Sequence, residues 1–276
     1  MSKWNLIVDV ALCHNCNNCV LATKDEYTGN AFPPYAAPQP AHGGDWLRIR
    51  RRNRGTAPMV DVAYLPVMCN HCDEAPCIEA AGDGSVYKRA DGIVIFDPAK
   101  TAGRKDVVKS CPYGAISWNE ELQIPQAWPF DAHLLDSGWK EPRCTQACPT
   151  GAMRAVKADD AAMAATAAAE NLRVLQPKLG TKPRVYYKNL HRYAAHFIGG
   201  SVASKATGVE ELVEGVAVRL SRNGVEVGRT LTDAFGEFKF DGLEGGGAQY
   251  SIEAGDQTKV IEIVESQYIG TILLPS

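Results

Sequence analysis

The sequence predicts an α+β protein in which a cysteine-rich part is followed by a small all-β part. All nine cysteines of the 276 residues lie between positions 13 and 148. The last eighty residues contain about seven short β-branched or alternating runs, separated by Gly, Asn and Asp turns, as in a small antiparallel sandwich or barrel. We therefore predict a metal-binding domain at 1–157, a helix and extended connecting arm at 158–196, and a seven-stranded antiparallel β domain at 197–276.

The composition is that of an ordinary globular protein, with 45% hydrophobic and 22% charged residues. A formal net charge of -3 argues against a nucleic-acid binder, which would carry a concentrated basic excess. The first residues, MSKWNLIVDV, contain neither a basic n-region nor an apolar h-region, and no apolar run approaches the roughly 18 residues of a spanning helix. We expect a cytoplasmic protein without a direct membrane span.

The cysteines form two kinds of motif. Two groups hold three cysteines each at short spacing: Cys13, Cys16 and Cys19 in CHNCNNC, and Cys69, Cys72 and Cys77 in CNHCDEAPC. Two single cysteines, Cys111 and Cys148, begin the repeated segment Cys-Pro-x-Gly-Ala. A tight loop with three thiols can hold three corners of a four-iron cube, and in bacterial ferredoxins the cysteine before a proline ligates a cluster whose other ligands come from a different run. The chain thus contains enough thiols for two four-thiolate sets.

Zinc also binds four cysteines and is the competing metal. Zinc ribbons usually pair one CxxC with another, whereas here the division is three plus one, twice, with a proline after each single cysteine. The pattern favours an iron–sulfur protein with a ferredoxin-like 4Fe-4S domain. We find no nucleophile elbow, phosphate-binding glycine loop or zinc-protease motif, so we expect no active site within this chain.

Residues 5–157 resemble the ferredoxin-type subunits that carry electrons for molybdopterin enzymes of the dimethyl sulfoxide reductase superfamily. The two Cys-Pro segments and the later KPRVYY at 182–187 are the most specific parts of this resemblance. In that family, cysteine groups one and four exchange their last ligands, as do groups two and three. The resemblance therefore implies one cluster on Cys13, Cys16, Cys19 and Cys148, and a second on Cys69, Cys72, Cys77 and Cys111.

The family pattern has two further cluster sites, which the resemblance implies are degraded here. One falls on Ala81, Thr101, Arg104 and Val107 and has no ligand left. The other falls on Thr23, Trp128, Asp131 and Cys144 and has one thiol. Cys144 is then a spare cysteine that behaves as a small buried hydrophobe, the alternative being a third cluster that uses Cys144 and Asp131. His14 and His71, inside the cysteine loops, either tune a cluster by hydrogen bonding or face solvent.

Four other segments carry predictions. Residues 158–174 are alanine-rich and predict a helix, and 176–196 predict an extended arm. The arginines between positions 48 and 54 predict a solvated face, the alternative being a docking surface for an acidic partner. The segment TDAFGEFKF at 232–240 resembles a transthyretin-like or carboxypeptidase-regulatory β-module.

A cluster-depleted ferredoxin domain followed by a β-module is similar to the small-subunit family of pyrogallol–phloroglucinol transhydroxylases and anaerobic resorcinol hydroxylases. The resemblance implies a heterodimer in which a large catalytic subunit holds molybdenum on two pterin guanine dinucleotides and a soluble acceptor removes electrons. Two other hypotheses remain open. One is the redox subunit of a respiratory dimethyl sulfoxide or polysulfide reductase, and the other is a scaffold subunit whose clusters are structural.

Overall fold

A computed structural model describes residues 1–206 and 208–275 of the chain. The helices and strands are β1 (Lys3–Asp9), α1 (Asn18–Tyr27), β2 (Arg48–Thr56), β3 (Met59–Val67), α2 (Pro76–Ala81), β4 (Val86–Lys88), β5 (Val94–Phe96), α3 (Lys105–Val108), β6 (Ser117–Asn119), β7 (Ile124–Gln126), α4 (Ala132–Asp136), α5 (Arg143–Gln146), β8 (Met153–Ala158), α6 (Asp160–Ala169), a 3₁₀ helix (Pro177–Leu179), β9 (Val185–Lys188), α7 (His191–Ala194), β10 (His196–Ser204), β11 (Glu211–Leu212), β12 (Ala217–Arg222), β13 (Val225–Leu231), β14 (Glu237–Leu243), β15 (Ala248–Ala254), β16 (Gln257–Ile263) and β17 (Gln267–Leu274). None of the helices in these described residues is long and apolar enough to cross a membrane.

The chain divides into two compact units. The first contains residues 1–50 and 64–190, and the second contains 51–63 and 191–276. These units differ from the predicted domains in three places, because 51–63 and 191–196 group with the β part and 158–190 groups with the cysteine-rich part. Such regroupings depend on long-range packing, which the local sequence pattern does not report.

A three-stranded sheet organises the first unit. β1 is its central strand and pairs antiparallel with β8 and parallel with β9. The register places Val8 opposite Met153. Because Cys13 lies one short loop beyond Val8 and Cys148 one short loop before Met153, this pairing brings the first cysteine group to the last one.

An apolar cluster positions the second cysteine group. Its buried members come from the β4–β5 hairpin, from α2 and α3, and from the loops around them: Cys69, Ala81, Val86, Val94, Phe96, Val107, Ile116 and Ala127. Cys77 and Cys111 pack against the same cluster. β4 and β5 pair antiparallel as a hairpin whose turn contains Asp91 and Gly92.

The predicted helix and residues 176–190 of the predicted arm lie in the first unit, whereas residues 191–196 of the arm belong to the second unit. The helix is α6, and it begins where the Asp159 carboxylate accepts a 2.8 Å hydrogen bond from the Ala162 N–H. The arm contributes β9, which adds to the edge of β1. The arm therefore belongs to the sheet that positions the first cysteine group.

The second unit is built from two packed sheets. One contains β11, β10, β14 and β17, and the other has the order β13-β12-β15-β16. Their inner faces form an apolar core that includes Val202, Val218, Phe238, Ile252 and Ile263. The predicted strands are antiparallel with one exception, since β10 and β17 pair in parallel. An alternating pattern identifies a strand but not the direction of a neighbour distant in sequence, so this pairing was not predictable.

Glycines allow segment 51–63 to pack against β10. A Cβ added to Gly199 would lie 2.0 Å from the Met59 sulfur, and one added to Gly55 would lie 2.4 Å from the Phe197 ring. Both distances are far below van der Waals contact, so a larger residue at either position would push this segment away from the strand.

Arg54 departs from the predicted solvated arginine face. Its guanidinium is fully buried and pairs with Asp61 and, at 2.7 Å, with Asp241. The Arg54 guanidinium also lies 5.3 Å from the centre of the Phe197 ring. The prediction of a solvated side chain was wrong for Arg54, one of the five arginines of this run. Arg54 is buried because strands other than its own supply its acidic partners, which the local sequence does not show.

The stability of the second unit is expected to fall in acid because of Asp61. Burial alone raises the pKa of Asp61, but hydrogen bonds from Arg54 and Lys239 and the nearby Arg192 charge outweigh it and hold the pKa well below its usual value of 3.8. A carboxyl with a depressed folded-state pKa contributes stability that is complete above the unfolded pKa and is lost as the pH falls below it. Amide exchange in β14, corrected for intrinsic rates, should therefore show weaker protection at pH 3 than at pH 6. In Asp61→Asn this pH dependence should shrink, and an unchanged dependence would assign the effect to other carboxyls.

Candidate metal centres

The first cysteine group lines a single cavity together with Cys148. Cys13, Cys16, Cys19 and Cys148 all line this cavity. Cys16 is exposed, whereas Cys19 is buried at the start of α1. The cavity therefore has one side at the protein surface.

Two residues with a left-handed backbone conformation shape the loop of the first cysteine group. Asn15 has a φ of 58° and Asn17 a φ of 61°. Asparagine tolerates this conformation better than most residues with a Cβ. The two turns curl the backbone between the cysteines, so that sulfurs spaced along the loop reach one cavity.

The second cysteine group lines a separate cavity together with Cys111. Cys69, Cys72, Cys77 and Cys111 all line this second cavity. Cys69 and Cys72 are 9% and 8% exposed, so this cavity lies deeper in the unit than the first. Pro76 begins α2 and places Cys77 in its first turn.

The two Cys-Pro-x-Gly-Ala segments fold in the same way. Gly114 and Gly151 both have a φ of 65°, and their N–H groups donate to the carbonyls of Cys111 and Cys148 at 3.1 and 3.3 Å. A residue with a Cβ would be strained in this turn. The turn directs the next N–H at the sulfur, and at Ala115 the distance from N to the Cys111 Sγ is 3.4 Å. The sequence repeat is therefore a structural repeat that supplies a hydrogen-bonded thiolate.

Most of these thiols are buried, and burial makes their ionisation at neutral pH depend on a bound cation. Burial raises the pKa of Cys13 and Cys72, brings that of Cys19 and Cys77 to about 12, and raises that of Cys69 well above its usual value. At neutral pH such thiols ionise only when a metal offsets the burial. The four-cysteine sets therefore suit a metal group better than free thiol chemistry.

Cys148 differs from the other cysteines. Burial opposes its ionisation, but hydrogen bonds from the Thr150 hydroxyl and from backbone N–H groups of the same turn lower its pKa. The Thr150 oxygen lies 3.7 Å from the sulfur. This threonine is the variable residue of the second Cys-Pro repeat, and the sequence did not single it out.

The variable residue of the first Cys-Pro repeat is Tyr113, and it is linked by hydrogen bonds through Thr181 to the Cys72 sulfur. The Tyr113 hydroxyl lies 2.6 Å from the Thr181 Oγ1, and a hydrogen bond from Thr181 reaches Cys72. Thr181 is remote in sequence from every cysteine group, so no local signal could have identified it.

The cavities suit a cluster better than one ion. Within residues 1–206 and 208–275, no three His, Cys, Asp or Glu side chains are placed to share a single metal ion. A zinc ion requires each sulfur about 2.3 Å from one point, whereas cysteines that hold a four-iron cube bind different corners. Four cysteines that line one cavity are the donor set that a four-iron cluster requires.

The histidines of the two loops have different environments. His14 is exposed at the first cavity. His71 is 1% exposed, and its Nδ1 accepts a 3.1 Å hydrogen bond from the Val94 N–H. Burial and the nearby Lys88 lower the pKa of His71 to about 3, so the ring is neutral and carries its proton on Nε2. Lys88 donates to the carbonyls of His71 and Cys72 at 2.8 and 3.0 Å, which places a positive charge beside the second cavity.

One degraded site of the family pattern is filled by a hydrogen-bonded carboxylate. Asp131 is fully buried and accepts hydrogen bonds from the Tyr27 hydroxyl, the Trp128 Nε1 and the Arg143 backbone N–H, at 2.8, 3.0 and 2.8 Å. Burial raises the pKa of Asp131. Both carboxylate oxygens are used by the protein, so Asp131 is not arranged as a metal ligand.

Thr23 and Cys144, two further positions of that site, are also occupied by groups with protein contacts. Thr23 is buried and donates a 3.0 Å hydrogen bond to the Cys19 carbonyl. Cys144 is fully buried, and burial raises its pKa well above the usual value. Cys144 therefore occupies the environment of a small hydrophobic residue.

The second degraded site has become part of the apolar core. Ala81 and Val107 belong to the cluster that surrounds the second cavity. Thr101 donates to a backbone carbonyl, and Arg104 donates to the carbonyls of Ala80 and Ala81 at 3.0 and 3.1 Å. Packing and hydrogen bonds thus replace ligands at all four positions.

Comparison with known proteins agrees with this geometry. Residues 60–158 match a family model described as a 4Fe-4S dicluster domain. The chain is 42% identical over 256 residues to the pyrogallol hydroxytransferase small subunit of Pelobacter acidigallici, covering 92% of this chain and 90% of that protein. It is 29% identical over 193 residues to a tetrathionate reductase subunit of Salmonella typhimurium, covering 68% and 73%. Over 158 residues it is 29% identical to a polypeptide of the anaerobic dimethyl sulfoxide reductase of Escherichia coli, covering 55% and 72%.

Solved structures add little for the β part. The 5-hydroxyisourate hydrolase of Klebsiella pneumoniae covers 28% of this chain and 90% of its own length, with 19% identity and a TM-score of 0.25. A score this low supports no assignment, so the transthyretin-like character of the β part stays a prediction.

The dicluster domain and the two four-cysteine cavities define a ferredoxin-type iron–sulfur protein. This protein belongs to the family of small iron–sulfur subunits of dimethyl sulfoxide reductase superfamily molybdoenzymes, the family of the pyrogallol hydroxytransferase small subunit. It is an electron-transfer subunit of a molybdoenzyme. Relatives of this kind are subunits of larger complexes, and this chain accordingly has a larger catalytic partner.

Proposed function

We propose that this chain carries electrons for a heterodimeric molybdenum enzyme that hydroxylates or transhydroxylates polyphenols of the resorcinol or pyrogallol type. The observation that carries the proposal is the 42% identity to the pyrogallol hydroxytransferase small subunit, which extends over 92% of the chain and so includes the β part. All nine cysteines are free thiols in the structure, which suits the reducing cytoplasm where we place the complex.

Two [4Fe-4S] clusters complete the proposal. Cys13, Cys16, Cys19 and Cys148 would hold the first, and Cys69, Cys72, Cys77 and Cys111 the second. When bound, the clusters supply reversible one-electron chemistry. The protein supplies thiolates stabilised by backbone N–H groups, and Lys88 supplies a positive charge next to the second set. Molybdenum on two pterin guanine dinucleotides belongs to the large subunit.

The two proposed reactions make different demands on this chain. Hydroxylation of an aromatic C–H with oxygen from water forms one C–O bond and releases two protons and two electrons. If each four-cysteine set held a one-electron cluster, the chain could accept both electrons of a turnover for transfer to a soluble acceptor. Transhydroxylation moves hydroxyl groups without net release of electrons, so the clusters would only set the redox state of the catalytic subunit.

A respiratory reductase subunit is the second candidate. It is favoured by the 29% identities to the tetrathionate reductase and dimethyl sulfoxide reductase relatives. These similarities cover 68% and 55% of the chain, against 92% for the pyrogallol hydroxytransferase small subunit. The first candidate therefore accounts for more of the sequence.

The test has three parts, all on the anaerobically purified complex: metal analysis, assay of candidate substrates, and EPR of the clusters after substrate is added. We expect about eight iron and about eight acid-labile sulfide per chain, as two four-iron clusters require. We also expect resorcinol or pyrogallol, but not dimethyl sulfoxide or tetrathionate, to be a substrate of the complex. For a hydroxylase, resorcinol without an acceptor should produce the EPR signals of reduced clusters.

Three results would overturn parts of this proposal. About twelve iron per chain would require a third cluster. Zinc without iron would remove the electron-transfer role. Turnover of tetrathionate or dimethyl sulfoxide, with no turnover of polyphenols, would establish the respiratory candidate.

A further inference from the structure

A group of buried aromatic side chains in the first unit contacts His71, which stands inside the second cysteine group. The rings of Trp128 and Phe130 stack with their centres 4.7 Å apart. The His71 ring contacts both of them edge-on, at 5.7 Å from Trp128 and 5.3 Å from Phe130. Trp128 and Phe130 are 0% and 1% exposed, so no bulk water separates these rings.

His71 connects this group to the second cavity. It stands between Cys69 and Cys72 in sequence, and its Nδ1 lies 3.9 Å from the Cys69 sulfur. The hydrogen bond from Val94, itself a lining residue of the cavity, fixes the orientation of the ring. His71 Nε2 has no hydrogen-bond partner within the described part of the chain. The plane of the His71 ring is inclined by 61° to that of Trp128 and by 73° to that of Phe130.

Asp131 connects the group to the elements around the first cavity. The Trp128 Nε1 donates to Asp131, which also accepts from the Arg143 backbone N–H and the Tyr27 hydroxyl. Arg143 begins α5, the short helix that precedes Cys148. Tyr27 ends α1, the helix whose first turn carries Cys19. The line of contacts therefore runs from Cys69 through His71, Trp128 and Asp131 to α1, which carries Cys19, and to α5, which ends two residues before Cys148.

We propose that Trp128 is the positioning residue through which the two clusters exchange electrons. This inference rests on the proposed function, since it requires a cluster in each cavity. Electronic coupling between distant centres decays more slowly through bonded and closely packed atoms than across a gap. The stacked indole of Trp128 supplies closely packed atoms along the line of contacts. One electron leaves the reduced cluster of one cavity and reduces the oxidised cluster of the other. No bond forms or breaks, and no proton needs to move.

The proposal differs from a purely structural role for Trp128. A space-filling residue would affect iron content and stability, and any bulky apolar replacement would serve. A coupling residue also affects the rate at which an electron equilibrates between the clusters, at unchanged cluster potentials. The inter-cluster rate is therefore the measurement that separates the two roles.

The experiment compares Trp128→Leu with wild type in the anaerobically purified complex. Less than one equivalent of dithionite is mixed with the oxidised complex, and rapid-freeze-quench EPR follows the redistribution of the electron between the two cluster signals. We expect Trp128→Leu to slow this redistribution severalfold, with wild-type iron content and midpoint potentials. Trp4→Leu is the matched control, because Trp4 is a buried indole that contacts Phe130 at 6.0 Å, whereas the indole that donates to Asp131 is that of Trp128. This control should retain the wild-type rate.

Each result decides the proposal. An unchanged rate in Trp128→Leu, or equal slowing in Trp4→Leu, would overturn it while leaving the proposed function intact, since iron content and cluster signals report on that function separately. If Trp128→Leu loses iron, Trp128→Phe replaces it, because this variant keeps a ring but lacks the indole N–H that reaches Asp131. Slower redistribution in Trp128→Phe at full iron content supports the inference, and a wild-type rate overturns it.

Discussion

Replacement of Cys111 by alanine is expected to remove the second cluster and leave the first. Iron should fall from about eight to about four atoms per chain, because the remaining three thiols of this cavity hold only three corners of a cube. Cys111 is the ligand most isolated in sequence from its set, and its position depends on the Gly114 turn and on packing against the apolar cluster. Loss of a structural metal group also removes folding free energy, so residues around the second cavity should become more accessible to exchange.

The measurement is iron analysis with EPR of the reduced complex, in which one of two signals should disappear. Cys144→Ala is the matched control, since Cys144 is fully buried and lines neither cavity. It should retain about eight iron, as the two sets require. Full iron in Cys111→Ala, or loss of iron in Cys144→Ala, would show that the ligand sets are assigned incorrectly.

Arg54→Met is expected to have the largest effect on the second unit. Removing the guanidinium leaves the Asp61 and Asp241 carboxylates, which are 13% and 22% exposed, without their shared partner. Loss of one member of a buried ion pair typically costs about 3 kcal/mol or more. Methionine keeps much of the side-chain volume, so the lost charge rather than a cavity dominates the effect.

Hydrogen exchange in the full complex gives the most direct test. Amides of β14, which carries Asp241, should exchange about 100-fold faster, as a change of about 3 kcal/mol implies. Arg51→Met is the control, because Arg51 is exposed in the same strand and its guanidinium donates to the nearby Asn53 side chain. A surface change of this kind should stay within about 0.5 kcal/mol. Equal effects of the two substitutions would show that the buried ion pairs do not stabilise the unit.

Short-range features of the site were predictable because they depend on local chemistry. The triplet Cys13, Cys16 and Cys19 requires only a curled loop, which Asn15 and Asn17 allow. The two Cys-Pro-x-Gly-Ala segments form the same turn because glycine adopts a positive φ, and this follows from the motif alone. The hairpin at β4 and β5 and the helix α6 also follow from local signals.

Other features depend on residues that meet only after folding. The Val8 and Met153 pairing explains why Cys148 lies with the first triplet, where the sequence offered only a resemblance. Thr181 beside Cys72 and the aromatic contacts of Trp128 carry no local signature. The parallel pairing of β10 with β17 is likewise a relation between strands at opposite ends of a unit.

The sequence by itself determined the chemistry of this protein, because four-thiolate motifs specify their ligands by type and spacing over a few residues. It also determined where regular strands and the principal helix occur, because their periodicity is local. The tertiary structure alone decided which cysteine joins which triplet, which arginine is buried, and what fills the degraded sites. Those outcomes are set by contacts between segments that are distant in the sequence. Burial and charge pairing contribute to the free energy of folding only when those segments are packed together.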